Sequence, residues 1–244
     1  SFRLVFILMG IVTAVVLFIG AALLKAPDEN VVLPQAGKKA SRASEAQASM
    51  TVNEMLKTSA FWLFFVWGIM QLICVYAVMG NAKQCVLELN PTAISIATLS
   101  VTIISVFNGL GRLILGTAYD KIGRLWTMTL DTALIIIASM LLIVSFKTGS
   151  IPLMIAGFMF VGFSYGGIPA IASAFSVDYF GPNDFSLKFG IINMFVFVGA
   201  FGSALAGIIK DNAGSYENLS YILIGLGILA MILNLGIRKR KVLK

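Results

Sequence analysis

The sequence predicts an all-α protein, a polytopic bundle of transmembrane helices. Hydrophobic residues make up 59% of its 244 residues and charged residues only 12%, whereas soluble domains contain about 45–50% apolar and about 25% charged residues. Its long apolar stretches are near the roughly 20 residues that a helix needs to span a bilayer. Stretches such as residues 132–146 show no alternation of polar and apolar positions, which argues against a membrane β-barrel.

Seven apolar stretches are predicted to be transmembrane helices. In chain order they are residues 4–24, 60–80, 93–118, 125–146, 151–175, 189–209 and 218–237. The segment between the first two is rich in alanine, serine and charge, so it is predicted to be a flexible linker. Near its end Thr51 precedes Glu54 by three positions, the spacing of a capping box, and we expect a short amphipathic helix there.

We therefore expect four regions along the chain. They are the last helix of an N-terminal half at residues 1–26, a cytoplasmic linker at 27–57, a six-helix bundle at 58–238 and a basic cytoplasmic tail at 239–244. With the linker on the cytoplasmic side, most of the 18 Lys and Arg residues fall on that side, as the positive-inside rule requires. The net charge of +7 is then explained by contact with a lipid bilayer, and we expect no nucleic acid as partner. We expect the protein in the plasma membrane, with its C-terminus on the cytoplasmic side.

The chain has few residues that could bind a metal ion or take part in covalent catalysis. There is no His, and the two cysteines, Cys74 and Cys85, are eleven positions apart with no further soft ligand nearby. We therefore predict no metal site, no cofactor and no enzyme activity.

Two charged residues lie inside predicted membrane helices. Arg112 is eight residues from Asp120 at the expected cytoplasmic boundary, a depth of about 12 Å at about 1.5 Å per residue. Asp131 in the next, antiparallel helix lies at a similar depth. An ionised arginine at this depth needs a partner or water. Two interpretations stay open: a structural Arg112–Asp131 ion pair, or an Arg112 that lines a central cavity and binds an anionic substrate.

Other polar side chains are candidates for the same cavity. Asn108 lies one helical turn before Arg112, so we expect both on one helix face. Four more residues lie within predicted helices and either contact substrate or hydrogen-bond between helices. They are Gln71, Tyr76, Tyr165 and Asn193.

Small residues predict where helices approach closely or bend. Gly109 and Gly111 precede Arg112 and Gly116 follows it, and Gly199 and Gly202 lie in the next-to-last helix, so we expect close packing at both places. Residues 164–170 combine two glycines and a proline, and we expect them to bend or break their helix.

A short motif joins the third and fourth predicted helices. Gly116, Asp120, Gly123 and Arg124 match G-x-x-x-D-x-x-G-R, the loop signature of the major facilitator superfamily, which the chain therefore resembles. The glycines suit a tight turn, Asp120 suits a helix N-terminus and Arg124 can pair across the loop. The resemblance implies that this loop gates one state of an alternating-access transporter.

A second stretch, over residues 177–190, is similar to the oxalate:formate antiporter family. The matching positions are Asp178, Tyr179, Phe180, Gly181 and Gly190, and "NGLGR" at 108–112 resembles that family too. The resemblance covers roughly residues 50–244 and implies the C-terminal six-helix half of such a transporter, with the N-terminal half completing the site.

The resemblance implies exchange of a small carboxylate such as formate, oxalate or another monocarboxylate, with Arg112 contacting the carboxylate. Residues 191–207 lack the lysine of oxalate-specific members, which favours a monoanion. Asn108 stands where proton-coupled monocarboxylate transporters have an aspartate, so the alternative of a proton symporter needs Asp131 as its proton site. A non-transporting membrane receptor or sensor is a third hypothesis.

Overall fold

The computed structural model describes residues 2–23 and 49–237, and all regular structure in these two ranges is helical. The chain forms two compact units, residues 1–46 and 47–244. The first unit contains α1, Phe2–Leu23. Its residues Leu4–Leu23 are long and apolar enough to cross a membrane, and their large apolar side chains are exposed. The predicted basic tail and most of the predicted linker lie outside the described residues.

The second unit is a bundle of helices. These are α2 (Val52–Leu56), α3 (Ser59–Met79), α4 (Ala82–Leu89), α5 (Ile94–Thr148), α6 (Ile151–Phe180), α7 (Phe185–Ile192), α8 (Phe195–Gly199), α9 (Phe201–Ala213) and α10 (Glu217–Gly236). Every predicted membrane helix in this unit coincides with one or more of these elements, to within one residue at the predicted ends that pass beyond them. The predicted all-α membrane bundle is confirmed.

Helix α5 contains two of the predicted helices. Within its 55 residues only Gly123 leaves helical geometry, with φ 77° and ψ 174°. Glycine adopts a positive φ without the strain that a Cβ would cause. Gly123 therefore divides α5 into α5a (residues 94–122) and α5b (residues 124–148), and the predicted turn at this glycine is confirmed.

Two helices differ from the sequence prediction in continuity. The predicted helix 189–209 is three short helices, α7 to α9, separated at residues 193–194 and at Ala200. By contrast, α6 runs without interruption through Pro169, although proline cannot donate to the carbonyl of Tyr165. The sequence allowed a bend or a break in residues 164–170, and the structure shows no break there.

The closest approach of two helices is between α5a and α6. A Cβ at Gly111 would collide with the carbonyl oxygen of Phe163, and one at Gly166 would collide with the carbonyl oxygen of Asn108 and lie 2.7 Å from the amide nitrogen of Arg112. The two backbones therefore touch, as small residues permit in membrane helices.

A similar contact joins α3 to α8 and α9. A Cβ at Gly199 would collide with Leu72, and one at Gly202 would lie 2.8 Å from the Cα of Ile73. The predicted close packing at these two glycines is confirmed. Gly109, by contrast, has nothing within 4 Å of its Cβ position, so it takes no part in helix packing within the described residues.

The end of the predicted linker is part of the bundle. Lys188 is 0% exposed, and its Nζ donates to Ser49 Oγ at 3.1 Å, to the Phe180 carbonyl at 2.9 Å and to the Asn183 carbonyl at 2.6 Å. The Met50 amide also donates to the Phe180 carbonyl, at 3.0 Å. We call these contacts the Lys188 clasp.

The capping box that the sequence predicts forms directly after the clasp. Thr51 caps α2, with reciprocal hydrogen bonds between its side chain and backbone and those of Glu54. Residues 49–56 therefore contact the rest of the second unit through the clasp and form the capped helix α2.

We predict that Lys188→Met releases the segment before α2. Methionine fills a similar volume but donates no hydrogen bond, so the Asn183 carbonyl and the Ser49 hydroxyl lose their shared partner. Trypsin should then cleave after Lys57 faster than in the wild type. Lys83→Met, a change at an exposed lysine, is the control. Equal cleavage rates in all three proteins would show that the clasp does not hold this segment.

We predict that Gly166→Ala destabilises the bundle, because its methyl group has to push two helix backbones apart. Overpacking of this kind costs about 1–3 kcal/mol, measurable as a lower free energy of unfolding in SDS titrations. Gly225→Ala in α10, where nothing lies within 4 Å of the Cβ position, is the matched control. A destabilisation no larger than that of the control would contradict the close contact.

Candidate functional site

Consecutive glycines of α6 place two charged residues in one layer of the bundle. Gly166 lies against the backbone amide of Arg112, and a Cβ at Gly167 would be 3.1 Å from Asp131 Oδ1. Arg112 belongs to α5a and Asp131 to α5b. Their contact with neighbouring residues of one helix agrees with the similar depths expected from residue counting.

Asp131 faces the interior of the bundle. Its side chain is 0% exposed, and its Oδ2 accepts a hydrogen bond from Gln71 Nε2 at 2.9 Å. The Ser164 hydroxyl interacts with the same carboxylate, although not with the geometry of a standard hydrogen bond. Gln71 is itself fully buried, so its amide is occupied by Asp131 and does not line an open surface of this unit.

Arg112 lies on the exposed side of α5a. Within residues 2–23 and 49–237, the one ion pair joins Lys210 to Glu88. The Arg112–Asp131 ion pair that the sequence allowed is therefore not formed. The two side chains do not meet because they point in different directions. Arg112 lies on the exposed side of α5a, whereas Asp131 points to α3 and α6, where Leu115 covers Gly167.

A second buried hydrogen bond lies beside Asp131. Trp67 Nε1 donates to Thr132 Oγ1 at 3.0 Å, and both side chains are 0% exposed. Sequence reasoning missed this pair. The signal was present as Trp67 and Gln71 one turn apart on α3, opposite the adjacent Asp131 and Thr132 on α5b.

The tyrosines of the candidate cavity contact each other. The hydroxyls of Tyr76 on α3 and Tyr165 on α6 are 3.3 Å apart, and their rings meet edge to face with centroids 5.6 Å apart. Tyr165 is next to Gly166, so this pair belongs to the layer of Arg112. Both side chains are half-buried.

The two candidate asparagines have side chains available for further bonds. Asn108 is half-buried, and its Oδ1 has no hydrogen-bond partner in the part of the chain that the structure describes. Asn193 is half-buried too and ends α7, where the segmented helix breaks. The structure brings Asn108 and Arg112 together on one turn of α5a, as predicted from their spacing.

The loop motif between α5a and α5b binds the end of the last helix. Arg124 Nη1 donates to the carbonyl oxygen of Asn234 at 3.0 Å and to its Oδ1 at 2.6 Å, and Nη2 donates to the carbonyl of Ile237 at 3.0 Å. Arg124 therefore pairs with the C-terminus of α10, not across its own loop as expected. Asp120 is exposed. A Cβ at Gly116 would lie 3.4 Å from the Cβ of Ala170, an ordinary contact distance.

Asn234 completes this contact and was missed from the sequence. Its Nδ2 donates to the Leu125 carbonyl at 3.1 Å and to Thr129 Oγ1 at 2.9 Å. The available signal was a lone amide in the otherwise apolar stretch 226–235. One asparagine thus joins α10 to the first turns of α5b.

The second sequence motif lies against the first. The Tyr119 hydroxyl donates to Asp178 Oδ2 at 3.5 Å, and the Arg124 guanidinium is 6.0 Å from the centre of the Tyr179 ring. Because Phe180 and Gly181 contact the Lys188 clasp, the two motifs form one continuous cluster at this end of the bundle.

The opposite end of the bundle has a separate polar clamp. Glu88 on α4 pairs with Lys210 on α9 at 2.7 Å and accepts from the Ser215 hydroxyl at 2.7 Å. Cys85, one turn before Glu88, is buried, and burial raises the pKa of its thiol well above the usual range. Across residues 2–23 and 49–237, no group of three or more His, Cys, Asp or Glu side chains is placed to hold a metal ion.

Comparison with known proteins gives two matches. The sequence profile of the Major Facilitator Superfamily matches residues 84–243. The chain is also 26% identical over 188 residues to the uncharacterized MFS-type transporter YhjX of Escherichia coli (strain K12), an alignment that covers 77% of this chain and 44% of that protein. The chain spans about half the length of this curated relative.

We predict that Arg124 and Asn234 stabilise the bundle as one unit. Arg124→Lys loses the planar fork that reaches two carbonyls, and Asn234→Leu removes the amide between them. Each change should lower the free energy of unfolding, and the double variant should lose less than the sum, with a coupling energy of about 0.5–3 kcal/mol. Unfolding in SDS titrations measures the cycle. Additive losses would mean that the two side chains act independently.

Proposed function

Since this chain belongs to the Major Facilitator Superfamily, we propose that it is the C-terminal half of a secondary transporter for a small organic anion, with Arg112 as the substrate's counter-charge. The family match supports membrane transport in general and a transporter rather than an enzyme. The choice of a carboxylate rests on the site and on the resemblance to the oxalate:formate antiporters.

One observation carries the proposal: Arg112 is a permanent cation in a membrane helix, and no side chain of the described ranges neutralises it. An arginine at this depth is costly unless it faces water or an anion. Its guanidinium offers parallel N–H donors that match the two oxygens of a carboxylate. A small carboxylate therefore supplies both the missing charge and the missing acceptors.

The neighbouring side chains favour a small monoanion. Asn108 on the same turn supplies an amide, and the Tyr76–Tyr165 pair supplies an aromatic wall with hydroxyl groups. The other buried or paired lysines, Lys188 and Lys210, are already bonded within the bundle. The single positive charge of Arg112 balances a monocarboxylate such as formate better than a dianion such as oxalate.

The transport cycle that we propose is exchange by alternating access. This half rocks against an N-terminal half, to which α1 belongs, and the anion is held at the interface between them. The exposed Asp120 belongs to the loop motif that we propose gates this movement, while Arg124 keeps the loop attached to α10. The protein lies in the plasma membrane with its C-terminus on the cytoplasmic side.

We predict that Arg112→Gln in the full-length transporter weakens carboxylate binding roughly 10- to 100-fold, since charge-assisted hydrogen bonds contribute about 1.5–3 kcal/mol. Arg112→Lys keeps the charge without the fork and should lose less. Binding and counterflow in proteoliposomes, with formate, lactate, pyruvate and oxalate as the panel, measure both variants.

Lys121→Gln, at the exposed end of the same helix, is the control for charge removal. Wild-type affinity for every carried anion in Arg112→Gln would contradict the proposed role of Arg112.

A further inference from the structure

Two buried acceptors beside Asp131, its own Oδ1 and Gln71 Oε1, have no hydrogen-bond partner within the described residues. We propose that Asp131, Gln71 and Ser164 form a proton-binding site inside the bundle, and that this site couples proton movement to the anion transport proposed above. The inference rests on that function for the coupling, whereas the proton site itself rests on contacts within this chain.

The first step is the environment of the carboxyl group. Asp131 is 0% exposed, and its neighbours are an amide, a hydroxyl, the backbone of Gly167 and the side chain of Leu115. No lysine or arginine of the described ranges pairs with it. An ionised carboxylate buried without a cation is strongly disfavoured, whereas the neutral acid is tolerated.

The second step is the count of donors and acceptors. Gln71 Nε2 donates to Asp131 Oδ2, but Gln71 Oε1 and Asp131 Oδ1 are both buried acceptors without a hydrogen-bond partner. Two acceptors cannot bond each other. A proton on Oδ1 converts it into a donor, with Gln71 Oε1 or the Ser164 hydroxyl as its acceptor. In the ionised form the Ser164 hydroxyl is a single donor for two acceptors, Asp131 Oδ1 and Gln71 Oε1, and a proton on Oδ1 supplies the second donor.

The titratable groups around Asp131 do not supply the missing hydrogen bond. No titratable side chain of α3, α5a, α6 or α10 hydrogen-bonds to Asp131. Near the middle of the helices packed around it these groups are Cys74, which contacts the Leu223 carbonyl, Tyr76 and Tyr165, which pair with each other, and the exposed Arg112. Those nearer the helix ends are Tyr119 and Asp178, which bond each other, Tyr179 beside Arg124, Tyr221 and Glu217, which bond each other, and the exposed Asp120 and Lys121.

The last step links this site to Arg112. Asp131 bonds to α3 through Gln71 and touches α6 at Gly167, and these helices carry Tyr76 and Tyr165. When the proton leaves to water, the carboxylate requires water or a cation that the present packing excludes. The ionised form therefore favours another arrangement of α3 and α6 beside Arg112, so proton release and anion access are coupled through one conformational equilibrium.

Infrared difference spectroscopy of the full-length transporter tests the proton site without transport. The wild type should show the carbonyl stretching band of a protonated carboxylic acid that disappears as the pH is raised. This band should be absent in Asp131→Asn and unchanged in Ser139→Ala, a control whose buried hydroxyl bonds only its own helix. Identical spectra for wild type and Asp131→Asn would overturn the site.

A second variant covers the case in which Asp131→Asn folds poorly. Gln71→Met keeps the volume and removes the amide, so the acid band should persist but move to higher frequency because its carbonyl loses a hydrogen-bond donor. An unshifted band would show that Gln71 does not bond the protonated acid.

Transport in proteoliposomes tests the coupling. Asp131→Asn should lose accumulation driven by a pH gradient, while exchange at equal pH on both sides falls far less. Gradient-driven accumulation equal to that of the wild type would overturn the coupling. If the acid band is present but Arg112→Gln binds anions normally, the proposed anion site fails and the proton site stands.

Discussion

The contact of α5a with α6 is the constraint on which the rest of the structure depends. At Gly111 and Gly166 the two backbones touch, and no side chain larger than hydrogen fits between them. This contact fixes the height of Arg112 relative to Tyr165. Because Gly167 follows Gly166 and lies against Asp131, the same two residues of α6 also fix the height of the buried carboxyl group.

Helix α6 therefore separates two kinds of polar chemistry at one depth. On one side Arg112 is exposed and makes no ion pair within the described residues, which suits a ligand that arrives and leaves. On the other side four buried side chains form two hydrogen-bonded pairs, Gln71 with Asp131 and Trp67 with Thr132, closed off from the surface of the unit. The cluster around Arg124 and the Lys188 clasp then holds the ends of α5a, α6 and α10 together, so movement of one is passed to the others.

Much of the fold could be predicted from the sequence because its signals are local. Helix positions follow from apolar length, the turn at Gly123 follows from a motif that needs a positive φ, and the capping box follows from the spacing of Thr51 and Glu54. The depth of Arg112 and Asp131 follows from residue counting. Their failure to pair could not be predicted, because depth along a helix does not determine which neighbour a side chain faces.

Other misses have the same origin in tertiary contacts. Pro169 does not interrupt α6, whereas the helix that lacks proline is segmented at Asn193. Asn234 is recognised as the partner of Arg124 only when α10 is packed beside α5b.

The central claim is that Arg112 is free for a substrate anion while Asp131 is turned away into the bundle. Solid-state NMR of the full-length transporter tests this claim. The arginine is labelled with ¹⁵N, and aspartate and formate are labelled with ¹³C. Dipolar recoupling then detects which carboxyl carbon lies close to the guanidinium nitrogens. When formate is bound, we expect dipolar coupling between the Arg112 guanidinium and formate, and none between Arg112 and Asp131. Coupling of Arg112 to Asp131 in the formate-bound sample, with none to formate, would contradict it.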